Sequence, residues 1–141
     1  VLKPGGQFVF SMNTEESFSG FYETYRKVLE VQGLTAYHQA IDQHIYEKRK
    51  PEGEMVAMVE HAGFRIDDIT RDSFTYRFSD GDAFFEHCFI RIAVLNVWKS
   101  LLPQELQEPV FPRIQEFLNQ QAAGNGLVFT VPFVIYNTQK P

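Results

Sequence analysis

The chain has 141 residues, one domain by length, and its 44% apolar and 22% charged content excludes disorder and fibre. Thirteen basic residues against 18 acidic ones give a net charge of −5, which argues against a nucleic-acid backbone or an anionic membrane as partner. The single cysteine, Cys88, excludes a disulfide scaffold and a Cys-rich zinc site, while 14 Phe, 6 Tyr and 1 Trp call for a large core, a wide apolar pocket, or both.

Gly5-Gly6 signals a turn, and three consecutive apolar residues, Phe8, Val9 and Phe10, predict a strand over 7–12 buried on both faces. Asn13-Thr14 ends it. Ser17 is placed to cap a helix reaching Gln32, with apolar residues at helical spacing and Gly33 as its stop. A second helix is predicted over 35–47, with Tyr37, Ala40, Ile41 and Ile45 on one face, until Lys48-Arg49-Lys50-Pro51 breaks it. A third, over 52–62, turns Met55, Val59 and Ala62 inward and stops at Gly63.

Phe64–Thr70 and Asp72–Phe78 read as extended, with a bend or bulge at Arg71-Asp72 between them. Ser79 as cap and Asp82 behind it predict a helix over 80–101, apolar nearly all round and therefore largely buried. Glu86, His87, Arg91 and Lys99 within it exclude a membrane span. Pro103, Pro109 and Pro112 punctuate a loop before an amphipathic helix over 110–122. After the turn Gly124-Asn125-Gly126, Leu127–Tyr136 is apolar enough to be a central strand, with a bulge expected at Pro132. The class is α/β: strand, three helices, long strand, two helices, strand, in one domain over 1–141 without repeat or linker.

Chemistry is sparse. The glycine pairs precede strands, so neither is a phosphate loop. His38 and Asp42 stand one helical turn apart, as a ligand pair lacking a third ligand or as part of a solvated face. His61 and the run Lys48-Arg49-Lys50 suit helix ends. His87 and Arg91 share a face and either pair with carboxylates such as Asp67 and Asp68 or line a pocket. Cys88, beside Phe89 and Ile90, reads as a core thiol rather than a nucleophile. No catalytic residue and no metal site can be assigned.

Leu2-Lys3-Pro4-Gly5-Gly6, followed by apolar residues 8–10, resembles the segment of class I S-adenosylmethionine-dependent methyltransferases that leads into their fifth strand. Glu60-His61-Ala62-Gly63-Phe64 resembles the step from helix to sixth strand, and Leu127–Lys140 the antiparallel seventh strand. The resemblance implies a partial Rossmann-like methyltransferase fold: a three-stranded sheet of order 5-7-6, last strand central and antiparallel, with helices packed on it. The turn and core strand at the first residues, without an initial Met, fit a piece of a larger cytoplasmic enzyme. That piece would be the C-terminal, substrate-side half of an enzyme methylating a small molecule.

S-adenosylmethionine would be the cofactor of the parent. The family grips it with a Gly-rich loop and an acidic strand end upstream, so no cofactor-binding residue is expected here and the chain alone should be inactive. The resemblance puts the substrate side on segments 13–50, a helical insert, and 79–112. Asn13, Tyr22, Tyr37, His87 and Arg91 are the candidate substrate contacts on them. A homo-oligomer through the 7–12 strand edge, or by exchange of strand or helices, is the expected assembly. The alternative is a non-catalytic α/β ligand-binding or dimerisation module.

Overall fold

The computed structural model describes residues 2–141 and holds three strands, β1 (Gln7–Asn13), β2 (Arg65–Phe78) and β3 (Leu127–Gln139), in one sheet of order β1–β3–β2. β3 runs antiparallel to β1, in a register from Gln7 opposite Gln139 to Asn13 opposite Phe133. It also runs antiparallel to β2. Arg65, which begins β2, bonds Gln139 at the end of β3, while the Phe78 ring near the end of β2 lies 6.1 Å from that of Phe129 near the start of β3. The helices are α1 (Ser19–Val31), α2 (His38–Lys48), α3 (Glu52–His61), α4 (Gly81–Glu86), α5 (Leu95–Lys99) and α6 (Gln104–Ala122).

The chain divides into two compact units. The first takes the segment ending at Ser17, Ile45–Phe74 and Thr130–Pro141; the second takes Phe18–His44 and Thr75–Phe129. β2 and β3 contribute to both. Along β3 the buried residues are Leu127, Phe129 and Val131, then Val134, Tyr136 and Thr138. The buried phase changes at Pro132-Phe133. The strand stays continuous through Pro132. The Pro132 carbonyl accepts from the Thr14 amide, just past the end of the β1 ladder. On a strand a residue's amide and carbonyl point to the same side, so the amide that Pro132 lacks faces the end of β1 and costs no bond to β2.

In the first unit β1 is an edge strand. The expectation that it is buried on both faces fails: Phe8 is 43% and Val9 52% exposed. Consecutive apolar residues do not distinguish a central strand from an edge whose one covered face is lined by rings. Phe10 stacks on Tyr136 of β3 at 4.9 Å and on Phe8 at 5.1 Å, and Met55, Val59 and Phe64 line a groove beside them. β2 is one uninterrupted strand, without a break at Arg71-Asp72.

The second unit is built around Trp98, whose ring stacks on Phe21 at 4.0 Å and on Phe84 at 5.9 Å. Leu29, Ile90, Ile114 and Leu118 are buried with them. Several expectations are corrected in this unit. Ser17 does not cap α1; its hydroxyl donates to the Pro132 carbonyl at 3.1 Å, and the cap position falls to Phe18 in the left-handed region, φ 60°. The buried Phe18 ring, 5.8 Å from Tyr76 and 6.0 Å from Phe129, offsets the cost of that conformation, about 1–2 kcal/mol for a side chain of this kind.

The long helix over 80–101 is broken. Asp80, not Ser79, is the cap, accepting from the Ala83 amide at 2.7 Å, and the backbone turns extended at His87 before a π-helical segment, Ile90–Val94, and α5. An unbroken helix apolar all round would need cover on every side. The break keeps Phe84, Ile90 and Trp98 in the core and leaves Ile92 84% exposed. Cys88 is exposed as well, not a core thiol.

The proline-rich segment is helix, not loop: α6 starts after Pro103 and contains Pro109 and Pro112. Each proline removes one intrahelical amide. The stripe Val110, Phe111, Ile114, Leu118 and Ala122 nevertheless packs against α1 and α4 and keeps the segment helical.

Candidate functional site

In the first unit β1 delivers Asn13 to a short turn. The Thr14 amide bonds the Pro132 carbonyl, the Ser17 amide returns to the Thr14 carbonyl at 3.0 Å, and Glu15 and Glu16 are exposed between. This turn forms one wall of a cavity of about 310 Å³. Lys50, Pro51 and Glu52 at the start of α3 form the second wall, Arg71-Asp72 of β2 the third, and Pro132, Phe133, Val134 and Tyr136 of β3 add apolar surface.

Arg71 grips both oxygens of Glu52: its Nε donates to Oε2 at 2.8 Å and its Nη2 to Oε1. These bonds hold the Glu52 carboxyl below the usual carboxylate range and push the Arg71 guanidinium up. Burial raises the Tyr136 hydroxyl, the negative charge of Glu52 raises it further, and Arg71 acts against both. Lys50 stands over the Tyr46 ring, its Nζ 3.6 Å from the centroid, a cation–π contact. Thr14 Oγ1 is buried without a hydrogen-bond partner among the described residues. A buried hydroxyl left unpaired costs about 1–3 kcal/mol.

The sequence candidates are dispersed. Asn13 lines this cavity. Tyr22 is buried in the second unit, its hydroxyl accepting from Trp98 Nε1 at 3.0 Å. Tyr37 is half-buried in a 3-10 turn, Thr35–Tyr37. His87 stands edge-on to Tyr76 at 5.6 Å and Phe78 at 5.4 Å, with Nδ1 buried and unpartnered. Arg91 is exposed, pairs with Glu86 at 3.3 Å and lines an open groove with Phe85, Lys99 and Phe111. Neither pairs with the carboxylates considered from sequence: Asp67 takes Arg65 and Asp68 takes the Thr70 hydroxyl.

Sequence reasoning missed Glu52, Arg71 and Tyr136. They lie on three elements, and no spacing rule connects a helix start to the middle of a later strand. Among the described residues no three His, Cys, Asp or Glu side chains gather to hold a metal ion. Asp42 binds Arg26 at 2.5 Å and His38 Nε2 lies 3.3 Å from the Arg26 carbonyl, so both are engaged with α1.

Neither strand-to-helix connection among the described residues fits S-adenosylmethionine. The turn after β1 carries no glycine before Gly20. After β2, Gly81 is filled in from behind: a Cβ there would meet the Gln115 carbonyl at 2.7 Å and Leu118 Cβ at 2.9 Å, so this glycine serves packing on α6 and opens no cradle.

No protein family matches this chain, and no curated protein does. Among solved structures, a candidate methyltransferase from Bacillus halodurans C-125 is similar at 18% identity with a TM-score of 0.46, over 100% of this chain and 58% of that one. The chain thus spans less than two thirds of that structure's length. No helix among the described residues is long and apolar enough to cross a membrane.

Proposed function

We propose that this chain is the C-terminal, substrate-side part of a class I S-adenosylmethionine-dependent methyltransferase that acts on a small molecule. The observation that carries the reading is the place of β3, the last strand, between β1 and β2. The segments behind the sequence resemblance also meet in the first unit. Gly5, at φ 78°, donates its amide to the Lys140 carbonyl at 2.8 Å, and the Lys140 amide returns to Gly6 at 2.9 Å, so the Lys-Pro-Gly-Gly turn is stapled to the end of β3. Gly63, at φ 83°, stops α3 and releases Phe64 into β2.

In this reading the cavity beside Asn13 receives the methyl acceptor, at the carboxyl end of β1, where open α/β sheets bind ligands. This part of the protein binds and orients the acceptor, and orientation supplies much of the rate in a transfer between two bound molecules. The cofactor belongs to residues outside these 141. The compartment is the cytoplasm, where a lone exposed thiol such as Cys88 stays reduced.

Calorimetry with S-adenosylmethionine tests the reading. The 141-residue chain gives no heat of binding, whereas the same chain produced with the coding sequence that precedes it binds and transfers the methyl group. Micromolar binding by the chain alone, or no binding by the longer product, overturns it and leaves the ligand-binding or dimerisation module.

A further inference from the structure

We infer that the cavity beside Asn13 selects a small organic cation, an amine carried on an apolar body. Where the methyltransferase reading holds, this names the acceptor class; the binding claim needs nothing from that reading.

The argument is charge bookkeeping on a shaped cavity. Four acidic and two basic side chains line it: Glu15, Glu16, Glu52, Asp72, Lys50 and Arg71. Glu52 and Arg71 neutralise each other through two hydrogen bonds, and Lys50 is drawn onto the Tyr46 ring. Asp72 accepts from the Ser73 amide at 2.7 Å and, among the described residues, has no ion-pair partner. Glu15 and Glu16 lie in the lining on an exposed turn, and among the described residues no cation is bonded to them. The lining is therefore net negative over a floor of Met12, Pro132, Phe133 and Val134. A carboxylate or phosphate would meet repulsion from three acidic groups, and the guanidinium that could receive it is already occupied by Glu52.

Thr14 stands in the same wall, and its Oγ1 has no hydrogen-bond partner among the described residues and no surface open to the cavity. Rotation about χ1 would turn this acceptor toward an ammonium, which donates and does not accept. The carboxylates then supply charge and the floor binds the apolar body. Pockets that hold small molecules share this composition: mostly apolar, with a few convergent polar groups.

The test is direct binding to the 141-residue chain, followed by amide chemical shifts without any cofactor. Three probes on a shared phenethyl body separate charge from shape: phenethylamine, 2-phenylethanol and 3-phenylpropionate. The amine should bind best and shift the Thr14, Glu15 and Val134 amides. The double variant Glu15→Gln/Glu16→Gln should weaken the amine about threefold to tenfold, and leave the alcohol unchanged, as expected for exposed charges. Rising salt should narrow the amine's advantage in the same direction. Thr14→Val should weaken both the amine and the alcohol, and thermal unfolding of each variant checks that it is folded. Equal binding of all three probes, no binding of any, or an amine affinity that the double variant leaves unchanged overturns the inference. None of these outcomes bears on S-adenosylmethionine, so failure here and failure of the methyltransferase reading are separately visible.

Discussion

The Trp98 indole N–H donates to the Tyr22 hydroxyl at 3.0 Å, and both residues are buried at 1% exposure. The partnership fixes the edge of an aromatic cluster whose faces are covered by Phe21 and Phe84. Tyr22→Phe keeps the ring and deletes the acceptor, leaving a buried indole N–H unpaired. A loss of about 1–3 kcal/mol is expected, read from urea unfolding with an unchanged slope. Adding Trp98→Phe should cost less than the two single losses together, because the second change removes the orphaned donor. A Tyr22→Phe chain as stable as the parent would mean that the bond contributes nothing.

Acid stability should depend on Arg71. The Glu52 carboxyl titrates below its usual range because Arg71 bonds it. Asp82 is lowered too, by the amides of Asn119 and Gln115 at 2.9 and 2.7 Å. A carboxyl lowered in the folded state stabilises the protein above its unfolded value, and that contribution disappears as pH falls through the folded value. Folding should therefore weaken on acidification below the ordinary carboxylate range. In Arg71→Gln the Glu52 midpoint should rise to the usual range and the acid limb should flatten. Carbon-detected NMR titration of the Glu52 carboxyl measures it; an unmoved midpoint would show that the pair is not formed in solution.

Gly124 and Gly126 both hold positive φ, 88° and 70°, but only one is crowded. A Cβ at Gly126 would stand 2.6 Å from the Phe78 carbonyl oxygen, whereas at Gly124 nothing lies within 4 Å. Gly124→Ala should cost only the left-handed backbone term, about 1–2 kcal/mol. Gly126→Ala adds the displacement of the end of β2 and should exceed it clearly in thermal or urea unfolding. Equal losses would place the Phe78 carbonyl farther away than described.

What was legible in the sequence was what is decided locally. Gly33 and Gly63 stop their helices as expected, and the amides of Leu34 and Phe64 reach back to the Leu29 and Val59 carbonyls, closing both ends in the same left-handed motif. What was not legible depends on packing. Nothing near Phe18 announces a left-handed phenylalanine; the rings of Tyr76, Trp98 and Phe129 hold it there. Pro109 and Pro112 read locally as breakers, and the buried stripe from Val110 to Ala122 overrides them. The candidate site divides the same way. Asn13, a candidate because the resemblance puts segment 13–50 on the substrate side, lines the cavity. Glu52 and Arg71 were not candidates, because their bond exists only once α3 and β2 are side by side.

The free side of β1 gives the last prediction. β1 pairs with β3 on one side, and no other strand of the sheet borders it. Phe8 and Val9 are 43% and 52% exposed on it. An apolar, unprotected edge is a template for another strand. In the isolated chain the available partner is a second copy, whose β1 can pair antiparallel across a two-fold axis, each edge completing the other. Light scattering behind size exclusion should therefore give a mass above that of the monomer at high micromolar concentration, falling on dilution. Val9→Lys should return the monomer by placing two like charges near the axis. Val9 is preferred to Phe8 because the Phe8 ring stacks on Phe10 and lies 5.7 Å from Phe64, so replacing it would damage the unit itself. Amide exchange in Gln7–Asn13 should slow as concentration rises in the parent and not in the variant. A parent chain that stays strictly monomeric at high micromolar concentration would show that this edge is not a docking strand.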